Sequence, residues 1–254
     1  MPLESNNHPR RRGIYLLPNL FTLTALFAGF YAIIAAMKGH FDDACIAVFI
    51  GMIMDTLDGR VARLTHTQTE FGAQLDSLSD MVSFGVAPAV ILYAWGLNTL
   101  GKPGWLITFV YAACVALRLA RFNVQHNTLD KRYFRGLPCP LAAAVIVSLI
   151  WSINQLEIDS AGMRIFTCIL SVFVALLMVS NFRYYSFKDF DLKNKVPFIV
   201  ILFVVLSFVL ISVDPPLILL FASLGYALSA PLFYVYRLRG RRSTPPKKEP
   251  NNDA

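Results

Sequence analysis

The stretch Asp55–Asp80 reads DTLDGRVARLTHTQTEFGAQLDSLSD and places four aspartates, Asp55, Asp58, Asp76 and Asp80, between two long apolar runs. Asp55 and Asp58 are three residues apart and Asp76 and Asp80 four apart, so each pair lies on one face of its helix. A turn through Leu64–Phe71 makes these helices a hairpin and brings the two pairs together. Acidic side chains at membrane depth are costly, and they mark a functional site by default. Converging carboxylates repel unless cations neutralise them. Hard divalent ions with oxygen ligands, Mg²⁺ or Mn²⁺, suit that role and in turn hold phosphates. Gly59 and Gly72 stand beside the carboxylates and leave room for a ligand against the backbone. Ala62, seven residues after Asp55 and on the same face, is small to the same effect.

Outward from this stretch, the chain has 254 residues, of which 56% are hydrophobic and 15% charged. A water-soluble domain carries about a quarter of its residues as charges. The apolar residues come in long blocks, and a bilayer-spanning helix needs roughly 20 of them. An all-α, polytopic membrane protein follows, with eight spans: Leu17–Met37, Phe41–Arg63, Gly72–Leu97, Gly104–Asn123, Pro138–Leu156, Gly162–Phe182, Pro197–Val213 and Pro216–Tyr236. Residues 1–16 form a short leading segment. The first span reads as an uncleaved anchor, since it is of spanning length and no A-x-A pattern follows it. From Arg237 to Ala254 the chain is rich in Lys, Arg, Pro and Asn and reads as a solvated, disordered tail. Cys45, Cys114, Cys139 and Cys168 form no CxxC pair, and His8, His40, His66 and His126 are scattered. Buried free thiols are expected, and a zinc site is not.

Charge placement orients the spans. With the N-terminus inside, 20 of the 23 basic residues fall in inner segments, leaving Lys38, Lys102 and Arg164 outside. This bias marks cytoplasmic loops, so both termini and the aspartates face the cytoplasm. The net charge of +7 reads as attraction to anionic membrane lipids, with no nucleic acid partner. Gly39-His40, Gly101-Lys102-Pro103 and Asp214-Pro215-Pro216 are breaker clusters that end one helix and begin the next.

The string Asp55-x2-Asp58-Gly59-x2-Ala62-Arg63-x8-Gly72-x3-Asp76-x3-Asp80 resembles the signature of the CDP-alcohol phosphotransferase family at every position. The resemblance implies a six-helix catalytic membrane core, here residues 17–182, with two further transmembrane helices over 183–236. It also implies a cytoplasm-facing site in an inner membrane, two divalent cations on the four aspartates, a CDP-linked donor and a homodimer. On the same analogy Asp80 is the general base. Gly59, Ala62, Arg63 and Gly72, together with Asn19 and Thr22 of the first span, are then the CDP-binding residues. A hydroxyl bonded to its own helix backbone is the other reading of Thr22.

The segments Ala116–Asn123 and Phe134–Pro140, and the opening Leu17–Thr22, resemble the phosphatidylserine synthase branch of that family, with Cys139 where Ser or Thr is expected. The implied substrates are CDP-diacylglycerol and L-serine. Arg118 and Arg121, three apart, can present guanidinium forks to a carboxylate or phosphate. Arg135 and Asn123 join them as acceptor or phosphate-binding candidates. Contacts with lipid headgroups for the arginines and a helix cap for Asn123 are the structural alternatives. Other acceptors, glycerol 3-phosphate, inositol phosphate or choline, are not separated by sequence alone. A cation transporter would also place aspartates in the membrane, but the sequence has neither repeated halves nor midplane acids.

Overall fold

The computed structural model describes residues 16–65, 67–125, 133–158, 160–185 and 198–242. Among them the helices run α1 (Leu16–Met37), α2 (Phe41–Leu64), α3 (Glu70–Asp80), α4 (Ala87–Trp95), α5 (Lys102–Gln125), α6 (Cys139–Gln155), α7 (Ala161–Val179), α8 (Phe198–Val213) and α9 (Pro215–Arg242). Among the described residues, five stretches are long and apolar enough to cross a bilayer: Leu17–Met37, Glu70–Trp95, Lys102–Val124, Ala161–Val179 and Pro215–Tyr234. Helix α2 has spanning length at 24 residues but carries the acids, while α6 and α8 are shorter at 17 and 16 residues. The protein is an all-α, polytopic membrane protein.

The breaker clusters do what their chemistry dictates. Gly39 and Gly101 turn the chain at φ of 80° and 64°, conformations that cost a residue with a Cβ. Asp214 Oδ1 accepts the Leu217 N–H at 3.2 Å and caps α9, whose first two residues are prolines with no N–H to satisfy. Helix α9 then runs on through Arg242, six residues past the boundary read from composition. Residues 243–254 of that expected tail, and the leading segment 1–15, lie outside the described residues, as do the basic residues of 126–132 and 186–197.

Helices α1 and α2 pack closely through small side chains. Ala25, Ala28, Ala32, Ala35 and Ala36 are buried on one, and Ala44, Ala47 and Gly51 on the other. Apolar attraction between helices is weak in lipid, so close approach of small residues supplies the packing instead. Helix α6 lies at the centre, buried along most of Ala142–Ile153, with α2, α4, α7 and α9 around it. Phe27, Phe30, Phe109 and Ile169 project outward, as lipid-facing residues do. A small antiparallel ribbon pairs β1 (Tyr133–Arg135) with β2 (Arg183–Tyr185), setting Phe134 opposite Tyr184. It closes through Gly136, whose N–H donates to the Phe182 carbonyl at 2.9 Å.

The span expected from Gly72 to Leu97 is not one regular helix. Between α3 and α4 lies a π-helical segment, Met81–Val86, in which the Ala87 N–H reaches back five residues to the Val82 carbonyl. Pro88 gives the reason. Its ring excludes the carbonyl four residues earlier and it has no N–H to offer, so Phe84 loses its helical partner. Tyr111 of α5, fully buried, donates its hydroxyl to the Phe84 carbonyl at 3.0 Å and satisfies it. Tyr111→Phe should therefore lower stability by about 1–3 kcal/mol, the cost of a buried unsatisfied carbonyl. Thermal unfolding in detergent measures it, and an unchanged midpoint would mean the carbonyl finds another partner.

Candidate active site

The hairpin of α2 and α3 brings together three of the four aspartates. Asp55, Asp76 and Asp80 each offer a carboxylate oxygen, and these three oxygens lie within 4.8 Å of one another. The α3 start is fixed by Thr69, whose Oγ1 accepts the Gly72 N–H at 3.0 Å, with Glu70 in the first turn. Asp55 stands nine residues before the end of α2, and Asp80 ten residues after the start of α3. At ~1.5 Å per residue the cluster sits about 15 Å in from the turn. That is deeper than a helix-end placement, because α2 runs on to Leu64 and α3 begins at Glu70.

Asp58 is placed differently. It is buried, and its Oδ2 lies 2.7 Å from Thr22 Oγ1, the hydroxyl donating. Thr22 Oγ1 also lies 3.2 Å from the Pro18 carbonyl, the contact with its own helix that was the alternative to a nucleotide contact. The Thr22 backbone carbonyl accepts Ser79 Oγ at 3.1 Å, and the Ala25 carbonyl accepts Ser83 Oγ at 3.0 Å. Gly29 lets this approach happen, since a Cβ there would stand 2.5 Å from Ser83 Oγ. Helix α1 thus holds an acid-bearing residue of α2 and the immediate neighbour of Asp80.

The small residues divide into two kinds. A Cβ on Gly59 would meet nothing within 4 Å, so no packing within the protein demands a glycine there. A Cβ on Gly72 would lie 3.4 Å from Asn19 Oδ1, so this glycine admits the Asn19 amide beside α3. Ala62 is half-buried one turn beyond Asp58. Arg63 is exposed and donates from Nε to the Gly59 carbonyl at 2.8 Å, keeping its guanidinium near that open space.

The two arginines of α5 part company. Arg118 Nη1 donates to Cys139 Sγ at 3.1 Å, while its Nε is buried without a hydrogen-bond partner. Its charge acts on Asp80. Arg121 instead reaches the end of α7, donating from Nη2 to Asn181 Oδ1 at 2.6 Å and from Nη1 to the Val179 carbonyl at 3.4 Å. A cation at a helix C-terminus complements its dipole. Asn123 donates from Nδ2 to Ser77 Oγ at 3.0 Å, tying α5 to the residue after Asp76. Arg135 enters the ribbon opposite Arg183, and its side chain lies outside the described part. Ser77, Ser79 and Asn181 carry no sequence signal of their own, because their roles depend on which helices become neighbours.

The donor set suits a hard divalent cation: carboxylate oxygens from two helices, with no histidine or cysteine in the cluster. The orphaned Arg118 Nε and the open space at Gly59 suit an anionic ligand beside it. Residues 15–181 match the CDP-alcohol phosphatidyltransferase family, which leaves α8 and α9 beyond the match. The chain is 39% identical over 196 residues to a CDP-diacylglycerol–serine O-phosphatidyltransferase of Helicobacter pylori, covering 77% of this chain and 83% of that one. A protein of the same name from Methanocaldococcus jannaschii is 35% identical over 178 residues, covering 70% and 78%. Another from Bacillus subtilis is 33% identical over 178 residues, covering 70% and 94%.

Mn²⁺ binding tests the cluster directly. The free-ion electron paramagnetic resonance signal should fall when the purified protein is added. Asp55→Asn or Asp80→Asn should abolish that fall, and Thr22→Val should weaken binding roughly tenfold by releasing Asp58. Undiminished binding in both aspartate variants would place the ion elsewhere.

Proposed function

This chain belongs to the CDP-alcohol phosphatidyltransferase family, and from that premise we propose that it transfers the phosphatidyl group of CDP-diacylglycerol to L-serine, giving phosphatidylserine and CMP. The observation that supports this most is the meeting of Asp55, Asp76 and Asp80 beside a partnerless Arg118 Nε, in a chain whose relatives bear that activity's name.

On this reading Asp55, Asp58, Asp76 and Asp80 hold two divalent cations, Mg²⁺ or Mn²⁺, which when bound neutralise the pyrophosphate and the leaving CMP. The acyl chains of the donor stay in lipid, and its cytidine occupies the space that Gly59 and Ala62 leave open. On the same reading Asn19 and Gly72 contact the nucleotide, and Arg63 draws the donor's phosphates toward it. Thr22 acts through Asp58, whose carboxylate it orients. Asp80 takes the proton of the serine hydroxyl as the hydroxyl oxygen attacks the phosphorus bearing the diacylglycerol. A new O–P bond forms, and the bond from that phosphorus to the CMP oxygen breaks. Alignment of a weak nucleophile beside a carboxylate supplies what serine lacks in water.

Arg118, unlike Arg121, has a free donor for the acceptor's carboxylate. Arg121 and Asn123 serve by fixing α5 against α7 and α3. The site opens to the cytoplasmic side of the inner membrane, the orientation that the basic loops favour.

Incubating purified protein with CDP-diacylglycerol, L-serine and Mn²⁺ should yield phosphatidylserine, identified by mass. Turnover with glycerol 3-phosphate, inositol phosphate or choline in its place would move the acceptor assignment. Asp80→Asn should lower turnover by roughly 10²–10⁴-fold, the usual contribution of a positioned base. Arg118→Lys should raise the KM for serine more than that for the donor, since Lys keeps the charge and loses the fork. Equal effects on both constants would place Arg118 at the donor's phosphates.

A further inference from the structure

The chain enters α6 by a fixed path. Gly136 turns it at a φ of 78°, and a Cβ there would run into the Met178 carbonyl. The Gly136 N–H donates to the Phe182 carbonyl at 2.9 Å and the Leu137 N–H to the Leu177 carbonyl at 3.1 Å, so the approach is tied to the end of α7. Leu137 and Cys139 are both 0% exposed. Pro138 and Pro140 flank Cys139, the first residue of α6, and stiffen the backbone on either side of it. The thiol is thereby delivered to one point beside α5, and there it meets Arg118 Nη1 at 3.1 Å.

A thiol at this place is a weak partner for a guanidinium. Sulfur is a poor acceptor, and the start of a helix carries the positive end of its dipole, which does not favour a cation. Arg121, three residues on, has two oxygens instead, from Asn181 and Val179. Arg118 has the sulfur, and its buried Nε has no hydrogen-bond partner among the described residues. A strong acceptor would compensate the charge where it stands, whereas a thiol gives the fork a direction and leaves the charge for a ligand. We propose that Cys139 is the positioning residue of Arg118, its thiol aiming the guanidinium from the α6 side so that Nε faces the acceptor's carboxylate. The carboxylate as target rests on the serine reading above, and the aiming of Arg118 by Cys139 rests on the contact between them.

Volume and acceptor can be separated at this position, with KM measured for L-serine and for CDP-diacylglycerol on the full-length enzyme in detergent. Cys139→Val fills the same space without an acceptor, Cys139→Ala removes both, and Cys139→Ser keeps an acceptor. The valine and alanine variants should each raise the KM for serine roughly two- to tenfold, the range of one hydrogen bond to a neutral group. Both should leave the KM for CDP-diacylglycerol unchanged. The serine variant should stay within about twofold of the wild type, since a hydroxyl accepts as a thiol does. Adding Arg118→Ala should cancel the difference between cysteine and alanine at position 139, because the thiol acts only through Arg118. A wild-type KM in Cys139→Val beside a defect in Cys139→Ser would reduce the thiol to packing and overturn the proposal, as would an alanine effect that persists with Arg118→Ala. If Cys139→Val does not fold, the contrast between the alanine and serine variants decides: equal KM values for serine in the two would overturn the proposal. A rise confined to the KM for CDP-diacylglycerol and cancelled by Arg118→Ala would keep Cys139 as the residue that aims Arg118 and overturn the acceptor reading instead.

Discussion

Three carboxylates whose oxygens lie within 4.8 Å of one another would, with all three ionised, repel by roughly 3 kcal/mol per pair, even at an effective dielectric of about 20. The hairpin that carries them would splay if nothing outside it resisted. Helix α1 supplies the resistance, although it contributes no acid. Thr22 holds Asp58 through its hydroxyl and Ser79 through its carbonyl, and Ala25 holds Ser83. Each carbonyl has a second lone pair to spare beyond its helical bond, so the added bonds cost α1 nothing. The run of alanines on α1 and α2 follows from the same need, since only small side chains let three backbones stand close enough for these bonds.

The opposite wall is built by other means. Helix α5 is joined to α3 by Asn123 and Ser77, to the π segment by Tyr111 and Phe84, and to the end of α7 by Arg121 and Asn181. These are polar links between otherwise apolar helices, each placed where a backbone or side-chain group would lack a partner. The first wall sets where the acids stand and the second sets where Arg118 stands. A site divided in this way can keep its acids fixed while the wall facing the acceptor changes.

Sequence made the acidic half of this site legible and left the cationic half obscure, for a physical reason. The spacing of Asp55, Asp58, Asp76 and Asp80 encodes a helix face, and the turn between them is short, so local geometry suffices. The ends of α1 and α8 and the start of α5 were equally local, written in Gly39, the Asp214-Pro215-Pro216 cluster and Gly101. Arg118 and Arg121 have matching spacing and yet diverge, because one meets Cys139 of α6 and the other Asn181 after α7. No periodicity reports which helices become neighbours. The break in the third span was likewise half-visible: Pro88 signals a lost hydrogen bond, but the donor that replaces it comes from Tyr111, 27 residues away.

That break bears on how the chain can vary over generations. A π turn accommodates one residue more than an α turn over the same rise. Deleting a single residue within Met81–Val86 would let the helix close up into regular α form. Because the wide turn absorbs that residue, the parts on either side would keep nearly the same facing, and Asp76 and Asp80 would stay turned toward Asp55. The same deletion within the regular turns of α3 would instead rotate one side by about 100° relative to the other, the angle that one residue contributes. The π segment is a place in this span where the chain can lose a residue and leave its acids in phase.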